Sequence, residues 1–183
     1  NNTAVGRAAL QANTTGTDQT AVGFEALKDY TGNGYNTAIG RSALESLTTG
    51  EKNVAVGAQA MDAATTTDQC VAIGYNAGGA LTTGDFNTVV GYEALITATT
   101  GERNVAVGRT AMNALTTGKH NVAVGMAALE SITTHDDNTS VGYNSMNAAT
   151  TGYSNTCVGK DSGAAITTGF KNLFIGFDAG DTT

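Results

Sequence analysis

The chain has 183 residues, a formal net charge of −7, 24 Gly and neither Pro nor Trp. The acidic balance argues against nucleic-acid binding, which depends on phosphate neutralisation by Lys and Arg, and against attraction to an anionic membrane surface. No apolar run approaches the ~20 residues that a spanning helix needs, so we expect no membrane insertion.

A glycine preceded by a β-branched residue recurs every 17 residues along the whole chain, without insertion or deletion. So constant a register is typical of stacked repeat architectures and not of ordinary globular domains. We therefore interpret residues 1–183 as a single repeat domain of eleven 17-residue units, and as a section of a longer fibre. The glycines, called the glycine column below, are Gly6, Gly23, Gly40, Gly57, Gly74, Gly91, Gly108, Gly125, Gly142, Gly159 and Gly176.

Further columns appear when the units are aligned on this glycine. The residue immediately before it is always Val or Ile (the valine column), and the residue two before it is mostly Ala (the alanine column). The residue four before it is Asn in nine units (the asparagine column), with Gln19 and Cys70 as the exceptions. The consensus unit is N-x-A-V-G-x-x-A-L-x-x-x-T-T-G-x-x, and the residue three after the glycine is always Ala or Ser.

The first element of each unit, N-x-A-V, has the β-branched content of a short strand that the glycine ends. If these strands stack in parallel, neighbouring coils lie ~4.8 Å apart and ten periods span roughly 48 Å. The asparagine column then forms a ladder in which each side-chain amide bonds the amides above and below it. A column of solvated turn residues is the alternative interpretation.

The second element, the segment after the glycine, has the propensity and the apolar spacing of a helix, as in residues 41–47. Helices pack 8–10 Å apart, about twice the strand spacing, so a two-turn helix in every coil would bend the stack into a horseshoe. We therefore expect a second strand or at most a tight helical turn. Thr-Thr-Gly predicts a turn after it, since Gly supplies positive φ and Thr can bond nearby backbone. The fold predicted is a mainly all-β parallel β-solenoid with one unit per coil.

Residues that could perform catalysis do not converge. His120 and His135 occupy different columns, so we expect surface roles for both. Cys70 and Cys157 lie about five coils apart, or ~24 Å, whereas a disulfide needs Cα atoms within about 7 Å. We expect each thiol to fill a slot for a small residue. The sequence predicts no catalytic, cofactor-binding or metal site and no enzymatic activity.

Four consecutive coils carry a carboxylate in the same column, formed by Glu51, Asp68, Asp85 and Glu102. At ~4.8 Å spacing these groups repel one another unless they are screened, splayed outward or bridged by a cation. The Gly-rich pattern of calcium-binding β-helix coils is absent. A solvated loop is therefore the favoured interpretation, and a weak cation site is the alternative.

The residues immediately after the glycine form a column in which Arg–aromatic neighbours recur (the arginine–aromatic column). No two cations are adjacent, which predicts a ladder of cation–π contacts, each worth ~0.5–1 kcal/mol at an exposed site. Lateral packing is the favoured role, and a ligand-binding stripe is the alternative. The column consists of Arg7, Phe24, Arg41, Ala58, Tyr75, Tyr92, Arg109, Met126, Tyr143, Lys160 and Phe177.

Residues 36–40 (N-T-A-I-G) and 121–125 (N-V-A-V-G) resemble the N-S-V-A-I-G repeat in the head of trimeric autotransporter adhesins. The longer unit, with its Thr-Thr-Gly, is similar to repeats in tail-fibre proteins of phages and large viruses and in surface proteins of aquatic bacteria. The resemblance covers the whole chain. It implies a left-handed parallel β-roll, three chains side by side, an extracellular location on a virion or cell surface, and a role in attachment.

The strand pattern independently favours self-association. Val and Ala of one unit point to opposite faces of a strand. We expect one face to fill the interior of the chain and the alanine column to line a close contact between identical chains, because an exposed Ala–Val face of this length would be an aggregation hazard.

Three functions are compatible with this repeat pattern. The leading hypothesis is a structural and attachment fibre, a rigid rod that presents a binding tip to a cell-surface receptor, either protein or glycan. The alternative is an ice-binding solenoid that uses its Thr ladders, although two consecutive Thr followed by Gly turn a corner instead of forming a flat face. A solenoid polysaccharide lyase would need a charged cluster and long loop insertions, and the chain has no insertions.

Overall fold

The computed structural model describes residues 1–181, in which one parallel sheet contains eleven strands in chain order and no residue is helical. Each unit contributes one three-residue strand, which confirms the predicted β-solenoid with one 17-residue unit per coil. The strands are β1 (Thr3–Val5), β2 (Thr20–Val22), β3 (Thr37–Ile39), β4 (Val54–Val56), β5 (Val71–Ile73), β6 (Thr88–Val90), β7 (Val105–Val107), β8 (Val122–Val124), β9 (Thr139–Val141), β10 (Thr156–Val158) and β11 (Leu173–Ile175).

Every strand pairs in register with the strand one unit later, so that Ala4 lies beside Ala21 and Val105 beside Val122. Backbone bonds join the coils on both sides of this pairing. The Gly23 N–H donates to the carbonyl of Val5 at 2.8 Å, for example. Because each inner coil bonds both neighbours, the solenoid is one continuous hydrogen-bonded stack.

The alanine column lies inside the solenoid and the valine column lies outside it. Ala123 is fully buried, whereas the adjacent Val124 is 37% exposed. The expectation that the alanine column lines a contact between chains is therefore wrong. Leu44, Leu47 and other large side chains of the turn segments belong to the same core cluster, so only small side chains fit on the strand opposite them.

This assignment predicts that Ala123→Leu destabilises the single chain. Over-packing a close-packed core typically costs about 1–3 kcal/mol. Val124→Leu is the matched control, since it changes an outward side chain and should stay within about 0.5 kcal/mol of the parent. Urea unfolding of both variants measures the difference. The inside–outside assignment would be contradicted if Val124→Leu were the more destabilising of the two.

The segment after the glycine forms neither the second strand nor the helical turn that we expected. It is a run of turns in which two residues per coil have positive φ, such as Ser42 at 55° and Leu44 at 51°. This backbone directs N–H groups toward both neighbouring coils: Ser42 N–H donates to the Phe24 carbonyl at 2.8 Å and Leu44 N–H to the Ala60 carbonyl at 3.1 Å. A helix would have satisfied those groups within its own coil, leaving neighbouring coils too far apart to pair as strands.

At one of these positive-φ positions the residue types themselves indicate left-handed backbone, although the propensity of the whole segment suggests a helix. The residue four after the glycine is Leu, Met or Gly in every unit and never Val or Ile. Left-handed backbone is a genuine outlier for β-branched side chains, so the column excludes them. Its members are Leu10, Leu27, Leu44, Met61, Gly78, Leu95, Met112, Leu129, Met146, Gly163 and Gly180, all with positive φ.

Candidate functional site

Within residues 1–181 the solenoid encloses no pocket and brings together no group of three His, Cys, Asp or Glu side chains that could hold a metal ion. No helix in that range is long and apolar enough to cross a membrane. Functional groups are instead arranged as columns that run along the surface of the stack.

Four outward columns form what we call the strand face. They are the residues five, three and one before the glycine, together with the arginine–aromatic column immediately after it. Seventeen large apolar side chains are exposed, and fifteen of them lie on this face, so it is the main apolar surface of the described chain. The fifteen are Val5, Phe24, Tyr35, Ile39, Ile73, Tyr75, Phe86, Tyr92, Val124, Met126, Tyr143, Val158, Leu173, Ile175 and Phe177.

Charge is segregated on the same face. It carries seven of the nine basic residues and two of the sixteen acidic ones, for a net charge of +5, while the rest of the chain carries two basic and fourteen acidic residues, for −12. The strand face is therefore basic and apolar on an otherwise acidic rod. Its basic residues are Arg7, Arg41, Lys52, Arg103, Arg109, Lys160 and Lys171.

The predicted cation–π contacts along the arginine–aromatic column are confirmed for three of its four cations. The Arg7 guanidinium lies 5.5 Å from the centre of the Phe24 ring, and the Lys160 ammonium lies 4.8 Å from that of Phe177. Tyr75 and Tyr92 stack with ring centroids 5.4 Å apart. Arg103 makes the same contact with Phe86, at 5.2 Å, in the column five before the glycine. These contacts hold side chains of successive coils in a fixed order on the surface.

The asparagine column forms the predicted ladder, and it lies in the interior. The Oδ1 of Asn36 accepts from the backbone N–H of Asn53 at 2.9 Å and from its Nδ2 at 3.1 Å. The same Nδ2 also donates to the carbonyl of Thr67, which lies in the turn after the next threonine pair. Each amide therefore ties strand to strand and strand to turn. Cys70 substitutes in the ladder, donating its N–H to Asn53 and accepting from Asn87 through Sγ.

Asn121→Ala is expected to destabilise the chain by roughly 2–4 kcal/mol. The substitution would leave the buried N–H of Asn138 and the carbonyl of His135 without their side-chain partner, and each unsatisfied group costs about 1–3 kcal/mol. Asn147→Ala is the control, because that side chain makes no hydrogen bond within residues 1–181. Equal urea midpoints for the two variants would show that the ladder does not stabilise the fold.

The carboxylates six before the glycine are called the acidic column, and its three aspartates bond to the backbone of the preceding coil. Asp68 Oδ1 accepts the Glu51 N–H at 2.7 Å, Asp85 Oδ1 accepts the Asp68 N–H at 2.8 Å, and Asp136 accepts the Lys119 N–H at 2.7 Å. The expectation of a solvated loop missed this role. The short Asp side chain explains it, since Asp readily bonds nearby backbone N–H groups. The column consists of Glu51, Asp68, Asp85, Glu102 and Asp136.

The thiols occupy buried slots, and both cysteines are free. Burial raises the pKa of Cys70 to about 12 and that of Cys157 to about 11, so both stay protonated and unreactive at neutral pH. Cys157 fills the alanine column as expected, whereas Cys70 takes an asparagine position.

The two histidines lie outside these buried columns. His120 is exposed, and its Nδ1 lies 3.6 Å from Asp137 Oδ1. The ring of His135 stacks on Tyr153 with centroids 6.5 Å apart.

The two threonines of each turn differ in their environment. The first donates its hydroxyl to the corresponding threonine carbonyl one coil later, as Thr48 does to Thr65 at 2.9 Å. The second is exposed in every coil that has it, forming a single surface column. That column consists of Thr15, Thr49, Thr66, Thr83, Thr100, Thr117, Thr134, Thr151 and Thr168.

No protein-family model matches the chain, and no curated protein or solved structure is significantly similar to it.

Proposed function

We propose that this chain is a structural segment of an extracellular attachment fibre, on a virion tail or a cell surface, and that it self-associates as a homotrimer. In this proposal it acts as a rigid rod that places a binding surface at a distance from its anchor. The rod contributes geometry and surface chemistry, and no catalytic step is assigned to it.

The observation that carries the proposal is the unbroken pairing of β1 through β11. Each coil is locked to the next by the strand pairs, the asparagine ladder and the turn segment. Eleven coils at ~4.8 Å give an extended stack of roughly 48 Å between the first and last strands. Such a stack is extended and has no flexible joint between its coils, as a fibre segment requires.

The strand face supports an attachment role. A continuous apolar face of this length, bordered by cations, is typical of a surface that contacts another macromolecule. A cell-surface protein or glycan is the receptor class that the proposal assigns.

Light scattering after size-exclusion chromatography, with small-angle X-ray scattering, tests the assembly and the shape. The proposal predicts a mass three times that of the chain and the profile of an elongated particle. A monomer at all concentrations would contradict the homotrimer, and a compact particle would contradict the rod. Binding of the labelled protein to an array of immobilised glycans and to intact cells tests the attachment role.

The exposed threonine column favours a second candidate, ice binding. Nine hydroxyl-bearing side chains repeat at the coil spacing, but they form one column and the first threonine of each pair has its hydroxyl bonded to backbone. A thermal-hysteresis assay decides this candidate: hysteresis that Thr83→Val and Thr100→Val abolish would favour ice binding over the fibre.

A further inference from the structure

The turn that follows β2 departs from the consensus unit. Its Thr-Thr-Gly is replaced by Thr31, Gly32 and Asn33, and Gly34 comes next. Asn33 stands at a position where seven of the ten units that have it carry Gly, and residues 33–34 are the only Asn-Gly dipeptide in the chain. Apart from Asn1 and Asn2, Asn33 is also the only exposed asparagine in residues 1–181.

An exposed Asn-Gly dipeptide can react with itself. The backbone nitrogen of the residue after an asparagine can close a five-membered ring on the side-chain carbonyl carbon, Cγ. This attack requires a nitrogen whose N–H is not held in a hydrogen bond, and a following residue whose side chain does not hinder the approach. Glycine has no side chain, whereas a β-branched residue is crowded and stiff at this point.

The Gly34 nitrogen meets both conditions, because its N–H donates to no acceptor within residues 1–181. In later coils the equivalent N–H is held by a carboxylate, as Glu51 N–H is by Asp68 and Asp68 N–H by Asp85. The residue equivalent to that partner for Gly34 is Glu51, whose longer side chain makes no such bond. The hydroxyl of Tyr30, buried beneath this turn, also has no hydrogen-bond partner in the described part of the chain.

The asparagines of the ladder meet neither condition. Asn53 is followed by Val54, whose N–H is bonded to the Cys70 carbonyl at 2.9 Å. Every other buried asparagine of the ladder is likewise followed by Val or Thr, with its N–H bonded to a carbonyl of the next coil. These interior residues are therefore protected from the reaction. They are Asn36, Asn53, Asn87, Asn104, Asn121, Asn138 and Asn155.

We infer that Asn33 is a site of self-modification, at which the asparagine is converted to aspartate and isoaspartate through a succinimide. The Gly34 nitrogen attacks Cγ of Asn33 and forms a new N–C bond. The bond between Cγ and Nδ2 breaks, and the amide nitrogen leaves as ammonia with the Gly34 proton. Water then opens the ring, adding a hydroxyl to one carbonyl carbon and a proton to the ring nitrogen. Opening at Cγ gives aspartate, and opening at the main-chain carbonyl gives isoaspartate.

Isoaspartate changes the pairing of two neighbouring coils. The Asn33 carbonyl accepts the Thr17 N–H at 3.0 Å, and Gly34 pairs with Thr17 in an isolated parallel bridge. In isoaspartate the backbone runs through the side chain and is one carbon longer, and the former main-chain carbonyl becomes a free carboxylate. We expect the modification to weaken this corner while leaving distant coils intact, because each coil contacts only its neighbours.

Peptide mapping by mass spectrometry, after storage of the protein in a mildly alkaline buffer, tests the site. Alkaline pH favours the reaction because the attacking nitrogen must lose its proton. Asn33 should lose its amide at least about tenfold faster than any ladder asparagine, since those must first break buried hydrogen bonds. Electron-transfer fragmentation should detect isoaspartate beside aspartate. Equal rates at Asn33 and at Asn53 or Asn121 would overturn the inference, and aspartate without isoaspartate would overturn the succinimide step.

Asn33→Gln is the matched control. It keeps an exposed amide and the same charge, but its cyclisation needs a six-membered ring, so this residue should remain unmodified. Asn33→Asp measures the effect of the added charge without the longer backbone. In thermal melts the stored wild-type chain should unfold at a lower temperature than both the stored Asn33→Gln chain and the fresh Asn33→Asp chain. Equal loss of amide in Asn33→Gln would overturn the inference, and equal melting temperatures would overturn the weakening of the corner.

Discussion

Replacement of Gly125 by alanine is expected to destroy the coils around it, at a cost on the order of 4 kcal/mol or more. A Cβ at this position would lie 2.6 Å from the carbonyl carbon of Gly142 in the next coil, and closer still to its oxygen. The Gly142 backbone cannot move away from the added Cβ, because its N–H is bonded to the Val124 carbonyl at 2.8 Å. The φ of 140° adds strain for any residue with a side chain.

Gly78→Ala is the matched control for this prediction. Gly78 also has positive φ, at 61°, but a Cβ there meets only side chains at ordinary contact distances, Met61 at 3.4 Å and Leu81 at 4.0 Å. Other units place Leu or Met at the same position, so the backbone tolerates a side chain, and we expect a cost of at most ~1–2 kcal/mol. Thermal melts followed by circular dichroism compare the two. A Gly125→Ala variant that melts as the Gly78→Ala variant does would contradict the close stacking of the glycine column.

The stacking of the coils was predictable from the sequence because it follows from the constant interval between the glycines. A 17-residue interval repeated without exception requires a stack, and a stack turns each recurring residue into a ladder. The asparagine ladder and the cation–π contacts of Arg7 and Arg109 follow from that step alone. Both depend only on side chains meeting their equivalents one coil away.

The cross-section of the coil was less predictable, because it depends on backbone geometry that propensity does not describe. Residues 41–47 have the composition of a helix, but Ser42 and Leu44 have left-handed backbone, which costs ~1–2 kcal/mol for such residues and which inter-coil hydrogen bonds offset. Propensity measures an isolated segment, whereas here the neighbouring coil decides the conformation. The absence of Val and Ile from the column of Leu44 was the available signal.

The orientation of the strand was also predicted incorrectly for a physical reason. Alternation assigns Ala and Val to opposite faces but does not say which face is inside. Burying Val would yield more hydrophobic free energy, but the Leu and Met side chains of the turn segments already fill the interior. The smaller residue therefore lies inside and the larger one remains on the surface, where it contributes to the strand face.

Deletion of one whole unit, residues 92–108, is expected to leave a folded protein that is one coil shorter. Gly91 would be followed directly by Arg109, so the asparagine, alanine and valine columns would rejoin in phase. The free energy of unfolding of a solenoid is roughly a sum of contributions from each unit and from each interface between neighbouring units. The deletion should therefore remove the contribution of one unit and one interface. The β signal per residue in circular dichroism should be unchanged.

Deletion of residues 92–99 alone tests the central claim, that one 17-residue unit makes one coil, more directly than any other change. It removes fewer residues but places a turn beside a strand and breaks every ladder at that level. Thermal melts of the two deletions beside the parent compare them. If one unit makes one coil, the 17-residue deletion melts cooperatively, whereas the eight-residue deletion loses cooperative folding or melts at a far lower temperature. Equal melting temperatures for the two deletions would contradict it.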